Sequence, residues 1–465
     1  MADSTQHFVP ERAIEEIADF LADPAEAARF PGHTLRFRND RAAREIGLDT
    51  LSDAEWTAHF GAFAPLPGSL PQPLALRYHG HQFRVYNPDI GDGRGFLFAQ
   101  CRDLGGRMMD LGTKGSGQTP YSRFGDGRLT LKGAVREVLA TEMLEALDVE
   151  TSRTFSVIET GEQLHRGDEP SPTRSAVLVR LNHGHIRIGS FQRLATLGLT
   201  DELKRLVAYS LKHYFAEAPD EDGAVRLLNH VVRRTAKLAA SFMAAGFVHG
   251  VLNTDNINIT GESFDYGPWR FAPTFDAGFT AAYFDQAGLY SFGRQAEAIH
   301  WDVVQLAVAL RAIAGTEQLA EAIEGFAPAY RAALVDAMLG RLGVTARGET
   351  EDVALVQALE SALTVSQVNI DRFFFDWRGG DLRVVTDAYA TESFAAFRDT
   401  IAAYAPSTPL DHPYWAGSEP CAMPIEEVEA IWAPIAERDD WSPFEAKVAS
   451  IRAMGDALML AKRLL

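Results

Sequence analysis

Apolar residues recur at helical spacing over residues 11–22 (ERAIEEIADFLA), which predicts an amphipathic helix near the start of the chain. Residues 24–75 mix short helical patterns with Pro- and Gly-rich loops. From Leu76 the pattern changes to short apolar runs broken by glycine. Gly91-Asp92-Gly93-Arg94-Gly95 followed by Phe96-Leu97-Phe98-Ala99 reads as strand, tight turn, strand. Residues 129–147 return to helical spacing for about five turns, and residues 155–158 and 176–181 read as further strands. After Gln192 the chain is mostly helical, at 203–215 and at 225–245, with Gly246 as the stop of the second helix. A loop-rich stretch, 247–292, interrupts this pattern before helices resume at 299–314 and continue in pieces to Leu465.

A strand-rich part with one long helix, then a helical part interrupted by a polar loop cluster, outlines an α+β, protein-kinase-like two-lobed fold. Additional mainly helical elements are expected at both ends. The expected division is an N-terminal extension (1–75), a nucleotide-binding lobe (76–192), a helical lobe carrying the metal and catalytic loop (193–380) and a C-terminal helical extension (381–465). Composition narrows the partners. With 44 Lys and Arg against 63 Asp and Glu the formal charge is −19, which argues against non-specific binding to nucleic acid or anionic membranes. No apolar run reaches the roughly 20 residues needed to span a bilayer, and Met1-Ala2-Asp3-Ser4 lacks the basic and apolar regions of a signal peptide. Cys101 and Cys421 make neither a disulfide framework nor a clustered metal site. The expectation is a cytoplasmic protein, monomeric, in a reducing compartment.

The polar loop after Gly246 carries the first candidate chemistry. His249-Gly250-Val251-Leu252-Asn253-Thr254-Asp255-Asn256 places a His and an Asn seven apart, the spacing of the kinase run H-R-D-L-x-x-x-N, in which Asp is the base and Asn holds magnesium. Asp265-Tyr266-Gly267 follows as a variant of D-F-G. Asn and Asp oxygens are the hard donors that Mg²⁺ takes alongside phosphates and water. Singly, each motif is also what a turn-capping loop carries; the two in register favour the metal reading. Val251 stands where the kinase base belongs and cannot accept a proton. Asp255, directly before Asn256, is the candidate base, the alternative being a loop carboxylate facing solvent.

Upstream, Lys114 in Leu111-Gly112-Thr113-Lys114-Gly115 and Glu137 in the long helix stand in the order in which kinases pair a strand Lys with a helix Glu to aim an ammonium at phosphate. Arginines cluster beside glycine turns: Arg94, Arg128 in Asp126-Gly127-Arg128, and Arg180 and Arg187 around His183-Gly184. In an acidic chain this suits a polyphosphate. Arg180 and Arg187 are an odd number of residues apart, so a turn at His183-Gly184 is needed for both to face one pocket.

Together these runs resemble the selenoprotein O family of protein adenylyltransferases, also called YdiU. Matching stretches include Gly80-His81-Gln82-Phe83, Gly91-Asp92-Gly93-Arg94, Thr119-Pro120-Tyr121-Ser122-Arg123, Gly125-Asp126-Gly127-Arg128, Arg136-Glu137 and Ile186-Arg187-Ile188-Gly189. His249 to Asn256, Phe264-Asp265-Tyr266-Gly267-Pro268 and Tyr290-Ser291-Phe292-Gly293 continue the series, from about residue 30 to 310. The resemblance implies a pseudokinase that binds ATP inverted and transfers AMP to Ser, Thr or Tyr hydroxyls of proteins, releasing pyrophosphate. It implies that Gly91, Gly93, Arg94, Lys114, Asp126, Gly127, Arg180 and Arg187 bind nucleotide and that Asp255 accepts the proton. Asn256 and Asp265 would bind Mg²⁺ (or Mn²⁺), Asp265 meeting the nucleotide through the metal, and Glu137 would pair with Lys114. An atypical phosphotransferase and a non-catalytic nucleotide-binding scaffold remain the alternatives. The C-terminal third matches weakly, and the sequence closes on Lys462-Arg463-Leu464-Leu465 without the Cys- or selenocysteine-bearing tail of many members, so redox regulation through such a tail is not expected. Phe83-Arg84-Val85 and Arg107-Met108-Met109 also depart from the family pattern.

Overall fold

An antiparallel sheet forms the first lobe. The computed structural model describes residues 8–167, 169–384 and 386–463; the runs at the two extremes of the chain, Met1-Ala2-Asp3-Ser4 and Leu464-Leu465, lie outside the described residues. The strands are β1 (Val9–Glu11), β2 (Ala22–Pro24), β3 (Thr34–Arg38), β4 (Leu74–Leu76), β5 (Gly80–Gln82), β6 (Val85–Asn87), β7 (Leu97–Arg102), β8 (Met108–Lys114), β9 (Leu129–Thr130), β10 (Arg153–Leu164) and β11 (Thr173–Asn182). The order across the sheet is β2-β4-β7-β8-β11-β10-β3, with β1 against β7 and β9 against β11, while β5 and β6 form a separate hairpin. Both faces of the central strands are covered, which is why they read as apolar runs rather than as an alternation.

Side-chain alternation sorts the two faces. Met109, Leu111, Val177, Val179 and Leu181 pack with Trp56 and Phe60 of the helix Asp53–Phe60 on one side. Met108 and Leu178 pack on the other with Val135, Val138 and Leu139 of the helix Leu131–Ala146. Lys114 and Arg180 share the parity of Met108 and Leu178, so both face the helix that bears Glu137. Register brings them side by side, because Leu178 lies opposite Lys114 and Arg180 opposite Gly112.

The N-terminal helix expected over 11–22 is not a single helix. A 3-10 turn (Ala13–Glu16) and one helical turn (Ala18–Leu21) lie between β1 and β2. Strand pairing captures both ends of the segment, Glu11 against Gln100 and Ala22 against Leu76, while Ile14, Ile17, Phe20 and Leu21 turn into the core. Residues 9–38 are therefore built into the sheet, with β2 on one edge and β3 on the other. Residues 25–33 cross between those edges over the strand ends; Ala28 N donates to Ser116 O at 2.8 Å and Gly32 N to Thr160 O at 2.9 Å.

The other patterned segments form as read, with shifted ends. Leu129 and Thr130 pair as β9 before the long helix starts at Leu131, where the Thr130 hydroxyl caps Gly133 N at 3.1 Å. The helical lobe is built on Thr200–Tyr214, Gly223–Ala245 and Gln295–Leu310, the second ended by Gly246 at φ 68°. Helices Ile425–Arg438 and Ser442–Arg463 return to the first lobe, where Arg452 binds Glu142 of the long helix at 2.7 Å. The result is a mixed α+β fold of a sheet lobe and a helical lobe. Among the described residues no helix is long and apolar enough to cross a membrane.

Candidate active site

Between the sheet face and the loop 249–265 lies a cleft of about 620 Å³. Its walls carry seven cationic side chains, Arg94, Lys114, Arg123, Arg128, Arg166, Arg180 and Arg187, against the four carboxylates Asp92, Asp126, Asp255 and Asp265. This surplus of positive charge stands in a chain of formal charge −19. The glycine-rich edge is shaped by close approach. A Cβ on Gly91 would lie 2.5 Å from the Tyr121 ring, and one on Gly95 would lie 2.0 Å from Thr113 O. Tyr121 is itself fixed by Asp23 of β2, which also pairs with Arg77.

The innermost wall is an ion network. Lys114 Nζ lies 2.6 Å from Glu137 Oε2 and 2.9 Å from Asp265 Oδ1, with Arg180 3.6 Å from Asp265. Burial alone would raise the Asp265 pKa, but Lys114, Arg180 and Arg187 outweigh it and hold the carboxyl well below its usual range. Arg180 is held from behind. Its Nε donates to His185 Nε2 at 3.4 Å, and His185 Nδ1 faces Asp110 Oδ2 at 3.4 Å. Burial lowers the His185 pKa, so the ring is neutral and able to accept. Arg187 donates to Asp255 O at 2.9 Å and to Asp92 Oδ1 at 3.1 Å, its guanidinium lying 4.4 Å from the Tyr78 ring centre. Gly184 at φ 85° supplies the turn that lets Arg180 and Arg187 face the same cleft.

Asp255 sits in the 3-10 turn Thr254–Asn256 at the cleft floor. Burial, opposed by Arg187, pushes its carboxyl up to about 6, and its Oδ1 is buried without a hydrogen-bond partner among the described residues. The turn is braced by the β5–β6 hairpin, where His81 N donates to Thr254 Oγ1 at 2.7 Å and Phe83 N to Asn253 Oδ1 at 3.1 Å. His249 does not reach the cleft. It is buried with Nε2 3.0 Å from Phe264 O, tying the loop to the run that carries Asp265. Asn256 Nδ2 donates to Val251 O at 3.1 Å, leaving Oδ1 as the remaining acceptor of the amide. The described residues contain no cluster of three or more His, Cys, Asp or Glu able to hold a metal by themselves. Asn256 and Asp265 nevertheless fit a divalent cation whose other ligands are phosphate oxygens, because both offer hard oxygen donors.

The sequence of the family of protein adenylyltransferase SelO matches residues 5–397. The chain belongs to the SelO family. A protein nucleotidyltransferase YdiU from Synechococcus elongatus is 42% identical over 473 residues, covering 96% of this chain and 95% of the relative. The one from Gloeobacter violaceus is 43% identical, covering 95% and 94%. That of Pseudomonas aeruginosa is 41% identical over a shorter stretch, 78% of this chain and 72% of its own. The likeness thus runs well beyond the 30–310 span carried by the short motifs. Among solved structures, ROP2 from Toxoplasma gondii, a virulence factor with a protein-kinase fold and no enzymatic activity, aligns at TM-score 0.28 and 12% identity, covering 80% of this chain and 92% of that chain.

Within this SelO-family chain, Gly91, Gly93, Arg94, Lys114, Asp126, Gly127, Arg180, Arg187, Asp255 and Asp265 all line the one cleft. Glu137 lies behind it against Lys114, and Asn256 lies beside the floor rather than on the wall. Asp126 is half-exposed, and its carboxylate is taken up by Arg166 at 2.8 Å. Arg128 of the glycine-turn cluster lines the cleft as well, and so do Arg123, Arg166, Asp92 and His185, to which motif spacing gave no role. Arg166 stands in a turn with no motif, so nothing in its neighbourhood reveals a partner 40 residues away. His185 was visible only as part of a polar run between two arginines.

Proposed function

We propose that the chain transfers AMP from ATP to a Ser, Thr or Tyr hydroxyl of a protein, with release of pyrophosphate. The observation that carries this reading is a buried carboxylate with a pKa raised to about 6, Asp255, on the floor of a cleft whose inner wall is Lys114, Arg180 and Arg187. The deep guanidinium groups suit the outer phosphates of an inverted nucleotide, with the α-phosphorus toward Asp255. Asp255 takes the proton of the acceptor hydroxyl as its oxygen bonds to the α-phosphorus. The bond from that phosphorus to the bridging oxygen breaks, and pyrophosphate leaves with the electron pair. Such a base contributes about 10²–10⁴-fold. Arg180 and Arg187 stabilise charge on the departing phosphates, an effect magnified by their burial. Lys114, held by Glu137, keeps a cation directed at the phosphates.

A divalent cation held by Asn256 and Asp265, Mg²⁺ or Mn²⁺, would supply charge neutralisation and alignment of the phosphates. The very low Asp265 pKa keeps that carboxylate ionised as a ligand at any physiological pH. Val251 leaves the ordinary kinase base position without a proton acceptor, which fits a relocated base better than phosphotransfer from that position. The test is labelling of an acceptor protein with ATP tritiated in adenine against ATP carrying γ-³²P, in Mg²⁺ and in Mn²⁺. Tritium incorporation with a mass gain of one AMP is the expected result. Incorporation of the γ label alone would make the chain a phosphotransferase, and neither label would leave a nucleotide-binding scaffold.

A further inference from the structure

Next to the candidate base the surface changes from cationic to aromatic. Phe83, at the tip of the β5–β6 hairpin, has its ring centre 5.9 Å from that of Phe284 and 5.1 Å from that of Tyr290, and Tyr283 lies 5.1 Å from Phe284. These side chains are not hidden. Tyr283 is 84% exposed and Val85 70%, with Phe284 and Phe83 also open to solvent. An exposed apolar cluster of this kind calls for an occupant.

Two observations connect the cluster to the site. Asn253, two residues before Asp255, accepts from Phe83 N at 3.1 Å and from the Tyr290 hydroxyl at 2.7 Å, so one side chain fixes both the platform and the catalytic turn. On the hairpin, Gln82 lines the cleft beside Asp255 and the next residue is Phe83. Base and platform are therefore about two residues apart, on the order of 7 Å of extended chain. The hairpin tip also holds Phe83 at φ 51° and Arg84 at φ 63°. A two-residue turn with both φ values positive selects Asn-Gly. Large side chains kept in that conformation point to a use for them. Arg84 does not leave a loose charge on the platform, because it pairs with Glu297 at 2.9 Å and lies over Trp301. Beyond the aromatics a groove of about 660 Å³, lined by Thr280, Tyr283, Asp285, Ser291 and Arg294, continues the surface.

We propose that Phe83, Tyr283 and Phe284 form the docking platform for the protein acceptor. It receives an extended segment with an aliphatic or aromatic side chain one or two residues from the hydroxyl that Asp255 deprotonates. The proposal rests on the reading of Asp255 as the base for a protein hydroxyl. The cationic wall serves the nucleotide and the near-neutral aromatic surface serves the peptide, so the two substrates meet at Asp255 from chemically different sides.

The test uses the full chain and fluorescein-labelled peptide pools with a central Ser, Thr or Tyr, flanked at one or two positions either by Phe and Leu or by Gly and Asp. Binding is read by anisotropy and transfer by ATP labelled at the α-phosphate and, in parallel, at the γ-phosphate. The expected result is tighter binding and faster labelling of the apolar pool by roughly tenfold, the worth of part-burying one such side chain. That preference disappears in Tyr283→Ser/Phe284→Ser while the KM for ATP is unchanged. Phe83→Asn, which suits the positive φ, should weaken the preference with the turn intact. Equal binding of both pools, or a preference unmoved by these variants, overturns the proposal. So does a wild-type dimer that the variants abolish without any peptide preference, which would assign the platform to a second copy of the chain. If the apolar pool binds as expected but receives only a γ label, the platform stands and the adenylyl reading falls.

Discussion

Replacing Asp255 by Asn should make the protein more stable and less active, and the size of the first effect follows from its burial. The residue is 8% exposed, with one carboxylate oxygen unpartnered among the described residues. Its pKa of about 6 stands above the ordinary 3.8 of an aspartate. The folded state therefore holds this proton more tightly than the unfolded chain does. The stability contributed by the protonated form is complete below about pH 4 and is lost as pH rises through about 6. The difference corresponds to about 3 kcal/mol of cost for the ionised carboxylate above that range. Asn keeps the shape and removes the charge. Urea unfolding followed by tryptophan fluorescence should give Asp255→Asn and wild type equal stability at pH 4, and a gain of up to about 3 kcal/mol for the variant at pH 8. AMP transfer moves the other way. The wild-type rate should rise roughly tenfold from pH 5 to pH 7 as the base ionises, while the variant is slower by about 10²–10⁴ and lacks that rise. An equal stability change at both pH values, or a loss at pH 8, would refute the reasoning that burial tunes this group. A pH limb that survives in the variant would move the base elsewhere.

Arg187 opposes that burial, so Arg187→Gln should move the wild-type pH limb to higher pH, read from the transfer rate between pH 5 and pH 8. Glu137→Gln leaves Lys114 and Arg180 facing only Asp265. It should cost about 3 kcal/mol in urea unfolding, as breaking a buried ion pair does, and raise the KM for ATP. In Gly112→Ala the new Cβ would lie 2.1 Å from His185 Nε2. The ring must move and release Arg180, so ATP binding measured by calorimetry should weaken and stability fall by about 1–3 kcal/mol. Gly167→Ala, where a Cβ meets open space, should change neither.

Much of the architecture was legible because it is written locally. The helix Gly223–Ala245 carries its own period and its stop at Gly246, and the apolar runs at β10 and β11 mark strands whichever partners they find. The candidate site was legible for a related reason: Lys114, Glu137, Asp255 and Asp265 belong to spacings that a two-lobed cleft enforces. Residues 9–38 were not legible. Each of their strands is three to five residues long, and their partners lie far along the chain, as Phe37 opposite Val157 illustrates. Between β1 and β2 the apolar residues fit helical spacing and also fit a segment pinned at both ends, and only the distant strands decide between the two. The aromatic platform was hidden for a different reason. Phe83-Arg84-Val85 looked merely atypical, because a strained turn leaves no trace in composition when its residues are not Asn and Gly.

The crossing of residues 25–33 has a mechanical side. Its two ends lie on the outermost strands of a seven-strand path, with five strands between them, a width of about 29 Å at the usual interstrand spacing. The nine-residue link, stretched fully, reaches only about 33–36 Å. It is close to taut, and it is pinned on the way at Ser116 and Thr160. A strap with so little slack ties the two edges like a tension member, so the sheet cannot flatten or spread without breaking those attachments. Ser116 stands two residues past Lys114. A pull applied within residues 25–27 would therefore be delivered, through the Ala28–Ser116 hydrogen bond, to the end of the strand that holds Lys114.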